Sequence, residues 1–210
     1  SSFTPFTFAL GGANMVQVRD LAFYQKQPDP GPGWAPTAYP VIFQINAGAC
    51  LFSRLYFFGV YRGINCGKAG SAIGRSKFDW IWGEFFDYGI QMTFCADVVE
   101  IANYHQYTFW SHFQDDVANY CRANSKGIVS LRNDNPQLSN IFMFGLKDGI
   151  LVDGTGPDGP TAKMAVTNFD ADFCTTGFHV VGSLNSVSIV NFNSQCGPPS
   201  PPTSRNVWIE

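Results

Sequence analysis

Residues 142–152 read FMFGLKDGILV, two apolar runs on either side of Asp148 and Gly149. Asp-Gly between apolar segments favours the positive backbone angles of a type I′ turn, so the stretch predicts an antiparallel hairpin. A second stretch, GFHVVGSLNSVSIVNFN at 177–193, divides into two β-branched runs around Asn185 and Ser186 and predicts another hairpin. The most regular alternation is Tyr88, Ile90, Met92 and Phe94 against Gly89, Gln91, Thr93 and Cys95, the period of two of a half-buried strand.

Working outward, further strands are expected at 3–10, 14–24, 40–46, 50–61, 98–103, 104–113, 126–132 and 161–168, with a short helix over 115–122. Gly and Pro mark 25–40, 63–76 and 153–160 as loops. Many short strands separated by turn signals predict an all-β fold, an antiparallel β-sandwich or jelly roll. One domain over 1–196 is expected, followed by an extended Pro-rich tail at 197–210. Stretches centred on Cys95 and Cys174 resemble each other only faintly, which does not support duplication.

The 210 residues are 45% hydrophobic and 16% aromatic but only 14% charged, against about 25% in soluble domains generally. Such a chain buries a core. It is neither a disordered regulator nor a coiled coil, and no run approaches the roughly 18 apolar residues of a membrane helix. Thirteen Lys and Arg against sixteen Asp and Glu, with no basic run, argue against nucleic acid and anionic membranes as partners.

The cysteines, Cys50, Cys66, Cys95, Cys121, Cys174 and Cys196, are widely spaced with no Cys-x-x-Cys pair. Three disulfides stapling the fold are expected, hence an oxidising, extracellular compartment and a secreted protein; buried thiols are the alternative. Fifteen pairings remain open. A mature chain whose targeting segment has been removed fits the start at Ser1.

No nucleophile elbow, Walker loop, dinucleotide loop or zinc-protease motif occurs, so neither an enzyme nor a cofactor is expected. His105 and His112 lie seven positions apart, on opposite faces of any continuous strand, and no metal site is expected from the three histidines. Asp153, Asp158, Asp115, Asp116, Asp170 and Asp172 offer oxygen ligands for calcium, but their spacing is not that of an EF-hand and turn chemistry accounts for the Asp-Gly pairs.

Aromatic residues carry the functional lead. Trp80, Trp82, Tyr88, Tyr104, Tyr107 and Trp110 fall within a short segment that also holds Glu84, Asn103, His105 and Gln106. Flat rings with polar neighbours suit stacking against a sugar ring. Trp82, Glu84, Asn103, His105, Gln106 and Trp110 are therefore the candidate ligand-binding residues. The order Trp82, Gly83, Glu84, then Phe86, Asp87, Tyr88 and Gly89, the strand at 90–95 and EIANYHQYTFWSHF at 100–113 resembles the middle of a galectin, over residues 82–113. The family's His-x-Asn-Pro-Arg signature is absent. The resemblance implies a sandwich with a sugar stacked on Trp82 and hydrogen-bonded to Glu84, without galactose specificity.

The chain ends on Val207, Trp208 and Ile209 after its Pro-rich stretch. Either these residues fold back on their own domain, or they form an arm that adds a strand to a neighbouring subunit. The expected function is a non-enzymatic carbohydrate-binding, lectin-like protein. The alternative is a self-assembling structural subunit, a homo-oligomer whose partners are other copies of itself.

Overall fold

The computed structural model describes residues 5–8, 15–70, 72–111, 113–183, 186–195 and 204–210. The strands are β1 (Phe6–Phe8), β2 (Gln17–Tyr24), β3 (Phe43–Ile45), β4 (Leu51–Cys66), β5 (Ser76–Met92) and β6 (Val99–Gln106). After helix α1 (Asp115–Asn124) come β7 (Lys126–Ser130), β8 (Pro136–Phe144), β9 (Asp148–Asp153), β10 (Met164–Asp172), β11 (Thr176–Val181), β12 (Val187–Gln195) and β13 (Arg205–Ile209).

Every strand pairing among the described residues is parallel, which overturns the antiparallel sandwich and jelly roll. The order β12-β10-β8-β6-β5-β7-β9-β11-β13 shows how the chain winds. From β6 onward, strands fall alternately into two ladders, β6-β8-β10-β12 and β7-β9-β11-β13. The long strands β4 and β5 pass through both, folding the sheet over itself into a flattened, nearly closed tube. This is a solenoid: each turn lays one strand on each ladder directly over the turn before.

Inside the tube, equivalent residues stack. Phe52, Phe78, Ile101, Leu138 and Val166 form one buried column, and Leu55, Ile81, Tyr104, Ile141 and Phe169 the next. From the opposite ladder, Phe43, Ile64, Ile90, Ile128, Ile150 and Phe178 face them. Between the first two columns each strand bends at one residue in the left-handed region: Asp20, Arg54, Trp80, Asn103, Asn140, Asn168 and Asn191, with φ between 51° and 60°. Asn tolerates this conformation better than most residues. The amides link in series: Asn191 Nδ2 donates to Asn168, Asn168 to Asn140, Asn140 to Asn103 and Asn103 to Asp79, at 2.8–3.2 Å.

Both predicted hairpins are corrected. Asp148 and Gly149 begin β9, which pairs with β7 and β11 and not with β8. The turn lies at Gly145, with φ 70°. Gly149 is required for space: a Cβ there would sit 2.6 Å from the Gly177 carbonyl and 3.0 Å from Phe169. In the second case, β11 and β12 belong to different ladders. Asn185 lies outside the described residues.

The disulfide staples are also corrected. Cys50, Cys66, Cys95, Cys121 and Cys174 are free, buried thiols, and Cys196 lies outside the described residues. Cys66 and Cys95 approach at Sγ–Sγ 3.8 Å, the Cys95 thiol donating to Cys66, and form no disulfide. Cys66 occupies an interior column between Ile45 and Met92, where a small apolar side chain fits. Burial pushes the Cys121 and Cys174 thiols up to about 12. The argument for an oxidising compartment thereby loses its premise.

The expected helix is present and slightly longer, as α1. Its Val117 and Cys121 pack with Trp34 and Phe86 in a second apolar cluster outside the main core. Trp34, from the Pro-rich segment at 25–40, meets Phe86 and Tyr120 edge-on at 5.0 and 5.4 Å.

Candidate functional site

A strand with one face in the tube turns its other face outward. Directly after the interior column Leu55, Ile81, Tyr104 and Ile141 come Tyr56, Trp82, His105 and Phe142, paired across successive turns. Their rings form a continuous outer file with centroids 5.9, 5.1 and 4.8 Å apart. Trp80 stacks beside Trp82 at 5.9 Å and is 47% exposed. Register then places Asp170 and Asn193 at the end of this file, joined by a bond from Asn193 Nδ2 to Asp170 Oδ1 of 2.9 Å.

A second rank comes from the segment after β6. Phe109 stacks over Trp82 and meets His105 edge-on at 5.4 Å, while Tyr107 meets Phe144 at 5.0 Å. Phe113, half exposed, touches both Tyr107 and Phe144, and Phe173 follows Phe144 at 5.0 Å. The result is an aromatic face several turns long, bordered by Asp170 and Asp172. Burial among these rings pushes the His105 imidazole below its usual value, which favours its neutral form.

The six candidate binding residues separate. Trp82 and His105 stand on the aromatic face. Asn103 belongs to the amide ladder at the bend. Gln106 points inward, fully buried, accepting from the Tyr104 hydroxyl and donating to the Phe85 carbonyl. Trp110 packs edge-on against Phe86 in the second cluster.

Glu84 is 2% exposed and does not reach the face. Its Oε2 accepts the Trp110 backbone N–H at 2.9 Å and its Oε1 the Ser111 hydroxyl at 2.7 Å. Burial pushes its carboxyl up to about 7, against the lowering effect of those bonds. A void of about 10 Å³ beside it is lined by Gln106, Tyr107, Thr108, Cys121, Phe144 and Leu146. The buried Thr108 hydroxyl has no partner among the described residues.

Tyr56, Phe142, Phe144 and Phe173 escaped the sequence reading. For Tyr56 and Phe142 the signal was positional: each of LYF at 55–57, IWG at 81–83, YHQ at 104–106 and IFM at 141–143 places its middle residue outward just past the bend.

Elsewhere, an open polar groove of about 320 Å³ runs along the other side of the bend, lined by Lys77, Glu100, Gln137, Ser139 and Thr167. Lys77 and Glu100 pair across it at 3.1 Å. Among the described residues no His, Cys, Asp and Glu cluster suited to a metal occurs. Asp153 instead accepts from the Thr155 backbone N–H and hydroxyl, an ordinary turn interaction.

At the C-terminal end, Val207, Trp208 and Ile209 lie on β13, paired with β11 of their own chain, so these residues do not form a free arm. His179, buried on β11, bonds through Nδ1 to Asp148 at 2.9 Å and through Nε2 to Glu210 at 3.3 Å, and stacks flat on Trp208 at 4.5 Å.

Comparison with protein-family models, curated proteins and solved structures finds no match to this chain, and no galectin relationship emerges.

Proposed function

We propose that the chain is a non-enzymatic binding protein for an extended glycan, held on the outer aromatic face. The observation that carries this reading is the file Tyr56, Trp82, His105 and Phe142, one ring per turn, with Trp80 exposed beside it. Rings inside the tube are explained by the core; these are not. An apolar platform edged by Asp170, Asn193 and Asp172 suits sugars, whose ring faces are apolar and whose hydroxyls donate hydrogen bonds. A solenoid repeats its surface at strand spacing, about 4.8 Å, which favours a polymeric ligand over a compact one.

A glycan array followed by calorimetry tests this. Replacing Trp82 by Ala, or Trp80 and Trp82 together, is expected to weaken binding about tenfold or more, roughly the worth of one well-stacked ring, with an unchanged far-UV spectrum. An array without a hit, or variants that bind as well as the parent, would reject it.

Self-assembly is the second reading, and the uncovered end of the solenoid favours it. Val187, Val190, Val207 and Ile209 on β12 and β13 are 37–70% exposed, and no described strand pairs beyond them. Open edges of this kind recruit further strands. Light scattering across a concentration series distinguishes a homo-oligomer from a monomer.

A further inference from the structure

We infer that Glu84 is the positioning residue of the aromatic face, holding the 107–111 segment down from beneath so that Phe109 and Tyr107 sit against Trp82, His105 and Phe144, and releasing it on ionisation. What the face binds rests on the preceding reading; the latch itself needs no ligand.

The attachment is specific. Both Glu84 oxygens are taken by the segment, one by the Trp110 N–H and the other by the Ser111 hydroxyl. Besides the ring contacts of Tyr107, Phe109 and Trp110, the Tyr107 N–H donates to the Gly83 carbonyl of the tube at 3.1 Å. Segment and α1 together cover the carboxyl, which is why it is buried.

Among the described residues, the surroundings give a charged Glu84 hydrogen bonds but no cation against the void. From α1 it faces the Cys121 thiol, itself pushed up to about 12 and so neutral. The segment contributes Tyr107, β6 contributes Gln106 with the Tyr104 phenol bonded behind it, and the turn after β8 contributes Leu146. None of the residues lining the void is cationic. A carboxylate in such a place gains by meeting water, and lifting the segment admits it.

The sign follows from linkage. A hydrated Glu titrates near 4.5 and the latched one at about 7. The latched state is therefore most favoured below pH 4.5, loses ground as pH rises, and is least favoured above 7. The full change in its equilibrium with the open state is about 300-fold.

Hydrogen exchange of the 107–111 amides at pH 5.5 and 8, corrected for intrinsic rates, reads the latch directly. Protection in the wild type is expected to fall at least tenfold towards pH 8. Glu84→Gln keeps an acceptor for the Trp110 N–H and cannot ionise, so its protection should be independent of pH. Equal pH dependence in both proteins, or none in the wild type, overturns the proposal. Should the Gln variant not fold, Ser111→Ala serves instead: it removes one bond to the charged form, and the loss at pH 8 should deepen. No deepening also overturns it. With a glycan in hand, affinity should follow the same pH curve in the wild type and stay flat in Glu84→Gln. A working latch with no glycan bound rejects only the glycan reading; glycan affinity indifferent to both pH and Glu84→Gln rejects the role in positioning.

Discussion

Two positions show how narrowly single residues are constrained when turns stack directly. A Cβ at Gly89 would overlap the Tyr104 hydroxyl reaching over from the other ladder. Gly89→Ala is therefore expected to destabilise the chain by about 1–3 kcal/mol through overpacking, measured by urea denaturation. Asn140 combines two roles, a left-handed backbone at φ 54° and a link in the amide series. Asn140→Gly relieves the backbone but cuts the series, whereas Asn140→Ala does neither favour. Both should lose stability, with Ala the worse by about 1 kcal/mol, the usual cost of a left-handed residue with a Cβ. Glu84 adds a pH-dependent effect. Its raised carboxyl contributes stability fully present below pH 4.5 and lost through pH 7. Glu84→Gln should match the wild type more closely at pH 5 and exceed it at pH 8, by up to about 3 kcal/mol.

At the scale of elements, β13 is an edge strand held by side chains as well as by its ladder. It contributes five residues and pairs on one side only, against β11. The stack of His179 on Trp208, and the bonds from His179 to Asp148 and Glu210, add to that single edge. His179→Ala should release β13, seen as faster exchange of the 205–209 amides while β9 stays protected. Elements also show what the sequence made legible. The strands themselves were readable because the period of two reports one buried face, as the buried Ile90 and Met92 on either side of Gln91 illustrate, but the alternation expected to run on to Phe94 stops at Met92, where β5 ends. Their direction was not, because alternation is the same whether the neighbour runs parallel or antiparallel. Asp148-Gly149 then misled: Gly was read as a turn residue, whereas the close approach of Gly177 and Phe169 demands it inside a strand. At the candidate site, Trp82 and His105 were legible as aromatic neighbours, while Glu84 and Gln106 could not be placed. Residues one apart lie on opposite faces, and residues two apart on the same face, only while the strand is regular, and the pairing of β4 with β5 shifts register after Gly83.

For the whole molecule, stability is expected to vary along the axis. Each turn contacts only its neighbours, so the solenoid should behave as a one-dimensional stack. Exchange protection is expected to be greatest in β5 and β6, which have partners on both sides, and lowest in β2 and β12; uniform protection would contradict this. The repeat behind this architecture is present in the sequence: IANY at 101–104, LSNI at 138–141, VTNF at 166–169 and IVNF at 189–192, with GIQ, GIV and GIL at 89–91, 127–129 and 149–151. Uneven spacing conceals it, since α1 and β7 intervene between Ile101 and Leu138 but only the rest of β5 and a short turn between Phe78 and Ile101. The cysteines deceived for a related reason: their wide separation looked like a disulfide framework, while the five described ones are buried, free thiols.

That unevenness has a consequence for how such a chain changes over time. The rungs are aligned by what stacks above and below, so the connections between them are free to grow or shrink without moving a rung. The long connection that holds α1 supplies Cys121 to the chamber around Glu84, and Phe109 and Phe113 to the outer face. New surface chemistry can therefore enter this architecture as lengthened spacers while the frame beneath stays constant.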